Sequence, residues 1–170
     1  MLQPPEERLT YFEVLGIRRP TFRIAKETLD ANYRALQRLL HPDRFVRRSD
    51  VEKEFSAQHA TLVNEAYTTL RSPRLRAAYL LDMRGEGLAA HPQALAPDEL
   101  MHFLELQDEV AETTDAGRLA DLEAETSADV ARTLDRFEAG YAAGDFAAAR
   151  AAMARLNFLR RIEDAVREQQ

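Results

Sequence analysis

The stretch "RLLHPDRF", residues 38–45, decides how the first half of this chain is read. Upstream of its proline, Leu29, Tyr33, Leu36 and Leu40 recur at intervals of 4, 3 and 4 and so share one helical stripe. Pro42 has no N–H with which to continue the ladder, and it pushes His41 out of the helical backbone region. The helix must end there, in a loop that is stiff at its first residues. After the polar "VRRSD" (46–50), Phe55, Leu62, Ala66 and Leu70 mark a second long helix. Two long helices flanking such a loop form an antiparallel hairpin. Before it, "YFEVLGI" (11–17) reads as a short helix closed by Gly16. After it, Ser72-Pro73 opens a short helix through Tyr79 to Met83, with proline at a tolerated first-turn position.

The chain has 170 residues, enough for one ordinary domain or two small ones, and its 45% hydrophobic and 31% charged residues suit a folded protein. Cysteine is absent, which excludes disulfides, thiolate metal sites and cysteine nucleophiles. The N-terminal "MLQPPEERLTYFEVLG" has no apolar core of signal-peptide length, and no window approaches the roughly 18 apolar residues of a membrane span. A cytoplasmic protein is expected. Charge is uneven: residues 1–82 hold 14 Lys and Arg against 11 Asp and Glu, while residues 83–170 hold 9 against 18. The halves should therefore meet different partners, and neither is basic enough to suggest nucleic acid.

The seam falls in "RGEGLAAHPQALAPDEL" (84–100), where glycines and prolines interrupt helical sequence. We expect modules over 8–84 and 98–170, with a linker over 85–97. Beyond it one helix is predicted from about Asp98 to Thr114. A second carries Leu119, Leu122, Val130, Leu134, Phe137 and Tyr141, and a third begins near Asp145. No strand-like alternation survives. The fold class is all-α, a helical hairpin followed by a three-helix bundle.

Two features stand out chemically. Arg34 and Arg38 lie one turn apart on the face opposite the Leu29/Tyr33/Leu36/Leu40 stripe, beside the stiff His41-Pro42-Asp43 loop. Exposed guanidinium groups next to a fixed carboxylate suit protein recognition. On spacing alone, a helix stop with a solvated face and an Asp30–Arg34 pair is the plainer reading. The second feature is the helix from Asp98. With Met101 at 0°, Leu104, Glu105, Asp108 and Glu112 fall within about 60° of it, whereas Phe103, Leu106 and Val110 cluster near about 180°. The latter is a core stripe. The former mixes large apolar residues with carboxylates, as a binding face would, although Met101 and Leu104 could equally pack at the seam.

In the order "YFEVLGI", "YRALQRLLHPDRF", "VNEAYTTLRSPRLRAAYLL", the first half resembles a J domain, the DnaJ-like module that activates DnaK-type chaperone ATPases. The resemblance implies that His41, Pro42 and Asp43 contact the chaperone, aided by Arg34 and Arg38, with Asn64 and Tyr67 supporting the loop and core. No Gly/Phe-rich or zinc-binding region follows. Instead "DELMHFLELQDEVAE" and "LNFLRRIEDA" make the whole similar to the HscB (Jac-type) iron–sulfur co-chaperones. That family is implied to deliver the scaffold protein IscU to the chaperone HscA. The implied scaffold patch is Leu100, Met101, Leu104, Glu105, Asp108, Glu112 and Phe158, with aspartate at 108 where the pattern usually has glutamate. Lacking the cysteine module and transit peptide of some eukaryotic relatives, the chain is expected to be bacterial.

The rivals are a J protein with another client, a helical-repeat array suggested by "FEAGYAAGDFAAARAAMARL", and an enzyme. The repeat has no second copy. The histidines (His41, His59, His91, His102) lack metal-ligand spacing, and no Gly-rich phosphate loop is present, so no catalysis, cofactor or metal is expected.

Overall fold

The computed structural model describes residues 9–93 and 95–169, so the expected outer boundaries at residues 8 and 170 lie outside the described residues. Seven α-helices and one 3₁₀ turn, with no strand, make up the described residues: α1 (Tyr11–Val14), α2 (Lys26–Leu39), the turn (Pro42–Arg44), α3 (Asp50–Arg71), α4 (Pro73–Asp82), α5 (Pro97–Glu112), α6 (Ala116–Ala143) and α7 (Phe146–Gln169). The chain divides into two compact units, Met1–Arg76 and Ala77–Gln170, so the division runs through α4.

In the first unit, α1 begins with a capping box. Thr10 accepts from the Glu13 N–H, and the Glu13 carboxylate accepts from the Thr10 N–H at 2.8 Å. That bond to the Thr10 backbone, with a second from its hydroxyl, holds the Glu13 carboxyl below its ordinary range. The helix ends at Leu15, and Gly16 takes φ 68°, where a side chain would be strained. Asn32 on α2 donates to the Leu15 carbonyl at 2.8 Å, which ties α1 to the hairpin. A second capping box, Ser49 with Glu52, starts α3; loss of such a cap costs about 1 kcal/mol. Phe12, Leu15, Leu29, Val63, Ala66 and Leu70 are buried. Of the predicted stripes, Leu29, Ala66 and Leu70 reach the interior, while Tyr33, Leu36, Leu40, Phe55 and Leu62 are half-buried along the seam between α2 and α3.

The second unit is built around the long α6–α7 hairpin, with α5 against α7. Gly144 at φ 74° caps α6 and reverses the chain. Gly140 lets the two helices close up: a Cβ there would lie 3.1 Å from the Ala149 nitrogen and 3.2 Å from the Asp145 carbonyl oxygen. The repeat-like "FEAGYAAGDF" is thus the chemistry of one hairpin turn. Phe103 and Val110 from α5 pack with Leu122, Leu159, Ile162 and Val166, as the predicted core stripe required. Each fully buried side chain of this size contributes about 1.5–3 kcal/mol. The helix predicted over Asp98–Thr114 runs from Pro97 to Glu112, with proline at a first-turn position where its missing N–H is harmless.

Candidate interaction surfaces

The 3₁₀ turn holds the His41-Pro42-Asp43 loop in one shape. The His41 carbonyl accepts from the Arg44 N–H at 3.0 Å, and the Pro42 carbonyl accepts from the Phe45 N–H at 2.8 Å. The His41 Nδ1 accepts from the Asp43 N–H at 3.3 Å, and the Asp43 carboxylate lies 3.5 Å from the same nitrogen. From α3, Ser56 donates to the Leu40 carbonyl at 3.1 Å and so fixes the last turn of α2 that carries the loop. His41, Pro42 and Asp43 all project to solvent, as do Arg34 and Arg38 on α2. A depression of about 580 Å³ opens beneath the loop, walled by Leu40, Pro42, Phe45, Val46 and Ala57.

One sequence expectation needs correction. Asp30 pairs with the Tyr67 hydroxyl, which donates to it at 2.8 Å, and no Asp30–Arg34 ion pair forms among the described residues. That hydrogen bond, together with burial and the Asp30 charge, pushes the Tyr67 phenol above its ordinary pKa. The Tyr67 ring stacks on Tyr33 with centroids 3.9 Å apart, and Asn64 accepts from the Tyr33 hydroxyl at 2.9 Å and from Gln37 at 2.6 Å. Asn64 and Tyr67 therefore pin α3 to α2 on the side leading to the loop. Gln37, Ser56 and Asn32 belong to the same framework and were not singled out from sequence. Their partners lie 16 to 27 residues away, beyond any local periodicity.

In the second unit, the outward face of α5 is apolar and acidic. Met101 is 57% exposed, Leu104 46% and Leu100 38%, a high exposure for adjacent large apolar side chains. Glu105, Asp108 and Glu112 are exposed beside them, and among the described residues none of the three makes an ion pair. Their neighbours on the same helix differ. Glu109 accepts from Arg118 at 2.7 Å, which lowers its carboxyl pKa, and Glu99 accepts from Arg155 at 2.6 Å. Asp129 also accepts from Arg155 at 2.6 Å. Burial alone would lower the Arg155 pKa, but its bonds to Asp129 and Glu99 more than offset that and raise it. Phe158 sits differently from the rest of the predicted patch. It is half-buried, its ring stacked on Phe103 with centroids 5.6 Å apart and the Arg161 guanidinium 5.1 Å from its centroid.

Among the described residues, no cluster of three or more His, Cys, Asp or Glu could hold a metal ion, and no helix is long and apolar enough to cross a membrane.

A hairpin carrying His-Pro-Asp on an exposed turn defines a class: residues 10–79 match the DnaJ domain, and the chain is a J-domain co-chaperone. The second unit narrows this, since residues 95–167 match the HSCB C-terminal oligomerisation domain. The chain is 32% identical over 167 residues to the mouse (Mus musculus) iron-sulfur cluster co-chaperone protein HscB, covering 98% of this chain and 71% of that one. It is 37% identical to the co-chaperone protein HscB homolog of Azoarcus sp. strain BH72, covering 90% of this chain and 89% of the other. The crystal structure of human co-chaperone protein HscB superposes with a TM-score of 0.89 at 29% identity, over 98% of this chain and 84% of that one. The chain belongs to the HscB family.

Proposed function

We propose that this protein serves iron–sulfur cluster biogenesis as a co-chaperone that binds an IscU-type scaffold and brings it to an HscA/DnaK-type chaperone, whose ATPase it stimulates. The chaperone contact is made by His41, Pro42 and Asp43, with Arg34 and Arg38 meeting an acidic surface. The scaffold contact is made by Leu100, Met101, Leu104, Glu105, Asp108 and Glu112, with Phe158 at its edge. The functional modules are residues 8–84 and 98–170, joined by 85–97. The chain works without catalytic chemistry or a bound cofactor of its own, in the bacterial cytoplasm.

The observation that carries the reading is the face of α5. Exposed Met101 and Leu104 stand among three carboxylates that no arginine or lysine of the described chain neutralises. Such a face favours a partner that is apolar at the centre and basic around it. The other reading, a J protein serving a different client, shares the entire first unit and differs only in what docks here.

Pull-down from the source cytosol distinguishes them. Recovery of an IscU-type scaffold with an HscA-type ATPase supports the proposal, whereas a mixed pool of unfolded clients favours the alternative. Asp43→Asn complements it. The residue is exposed, so folding should be nearly unaffected, yet stimulation of the ATPase should collapse while scaffold binding persists. Normal stimulation by Asp43→Asn would remove the loop from the mechanism.

A further inference from the structure

The most exceptional charge in the first unit is far from the loop in sequence. Arg76, in the first turns of α4, is 8% exposed, and its Nε is buried with no hydrogen-bond partner. Its guanidinium carbon lies 5.3 Å from the centroid of the Phe22 ring. Burial pulls its pKa below the ordinary arginine value. Elsewhere the chain treats its inward-turned arginines differently: Arg155 has Glu99 and Asp129, Arg150 has Glu86, and Arg118 has Glu109 and Glu125. Among the described residues, no carboxylate pairs with Arg76.

Arg76 borders a depression of about 300 Å³ that also takes Lys26 and Arg71 at its rim, with Ile24, Leu29 and Leu70 as apolar walls. Neither Lys26 nor Arg71 has a carboxylate partner among the described residues; Arg71 lies only over the Tyr67 ring. The depression opens at the start of α2. The N-cap there is Ala25, which has no side-chain acceptor, so the first N–H groups of this 14-residue helix end uncapped. Uncapped helical amides with the positive end of the helix dipole favour an anion.

We infer that Lys26, Arg71, Arg76 and the first turn of α2 form a binding site for a small phosphate-class oxyanion. Three cations match a dianion better than a monoanion. The guanidinium of Arg76, which lines the depression, supplies donors at its inner end, and the α2 amides supply others. An anion there would also remove the cost of a desolvated, unpaired guanidinium. The apolar walls limit water and admit a short organic substituent, so the site accepts the ion free or as a phosphate ester; the shared chemistry is the phosphate group. Since α2 spans 14 residues at about 1.5 Å each, the site lies about 20 Å from the His41 turn at its other end. It can be occupied while that loop is engaged.

The test is a nitrogen-15 NMR titration of the full-length protein with inorganic phosphate, at constant ionic strength against chloride. Saturable shifts of the Lys26, Glu27 and Thr28 amides and of the Arg76 Nε–H are expected. Lys26→Gln and Arg71→Gln, both at exposed positions that leave the fold intact, should each weaken binding about tenfold or more, and Arg76→Gln should abolish it. A parallel titration with adenosine monophosphate assigns the source: tighter binding means the site selects an ester, and equal or weaker binding means the free ion. Shifts that never saturate, that follow ionic strength alone, or that survive Lys26→Gln and Arg71→Gln unchanged would overturn the assignment. So would titrations in which none of these resonances moves.

Discussion

Truncating both exposed apolar side chains of α5, in Met101→Ala/Leu104→Ala, asks the sharpest question of the proposed client surface. A Met or Leu buried completely contributes about 1.5–3 kcal/mol. Only the part still in contact with water can be gained on docking, and that is 57% for Met101 and 46% for Leu104. Scaling each by its exposure gives about 0.7–1.7 kcal/mol per residue, and about 1.5–3 kcal/mol together. At 1.4 kcal/mol per decade, scaffold affinity should fall roughly tenfold to a hundredfold. The lower end is the better expectation, because alanine keeps the Cβ contact. Calorimetric titration with an IscU-type scaffold measures this directly, and a melting curve on the same sample supplies the control. Since about half of each residue is already in water and alanine keeps the Cβ, the drop in melting temperature should fall well short of what truncating a fully buried pair would cost. A variant that binds normally would refute the placement of the client on this face, and a variant that melts early would show that the side chains are structural.

Other perturbations separate the remaining contacts. Arg34→Ala/Arg38→Ala removes two exposed cations, so the dependence of chaperone affinity on salt should flatten, with a Debye length of about 10 Å at 0.1 M setting the range; an unchanged slope would mean that they are only a solvated face. The Glu109–Arg118 pair makes a prediction in pH. Its hydrogen bond lowers the folded Glu109 pKa below the ordinary 4.5, so the unfolded chain binds more protons just below that value. The stabilisation is present above about pH 4.5 and is lost as pH falls through the folded pKa. Denaturant titrations from about pH 6 to about pH 3 should therefore give a shallower loss of stability for Arg118→Gln than for the parent, and parallel curves would exclude the linkage.

Periodicity carried the fold because an all-helical chain writes its core in local spacing. The Leu29-to-Leu40 stripe, the stop at Pro42 and the alternation of Phe103 and Val110 with Met101 and Leu104 are set by neighbours within two or three turns. What spacing cannot contain is a contact between distant helices. Asp30 and Arg34 stand at a favourable i,i+4 interval, yet Asp30 is claimed by Tyr67 at a separation of 37 residues. Arg76 reads as one more cation in "SPRLRAAYLL", and only the approach of Phe22 and the depression beside Leu29 reveals that it is buried. The compact units part between Arg76 and Ala77, inside a helix whose Ala77, Leu80 and Leu81 are all buried.

The acidic face of α5 shows where local geometry hands over to the fold. On a helical wheel, Glu105 and Glu109 differ by only about 40°, and nothing in the wheel separates their roles. The separation comes from the next helices. Arg118, just past the α5–α6 turn, takes Glu109, and Arg155, on α7, takes Glu99. The charge left on α5 is whatever these arginines do not reach, with Glu105, Asp108 and Glu112 beside the apolar side chains. The second half of the chain has 18 acidic residues against 9 basic ones, so a surplus was certain from composition, but its position was not. Because the face is bounded by Arg118, Arg118→Gln should do more than alter acid stability. It releases Glu109 beside the apolar patch and widens the acidic surface, so a basic partner should bind that variant more tightly at low salt and lose the gain as salt rises.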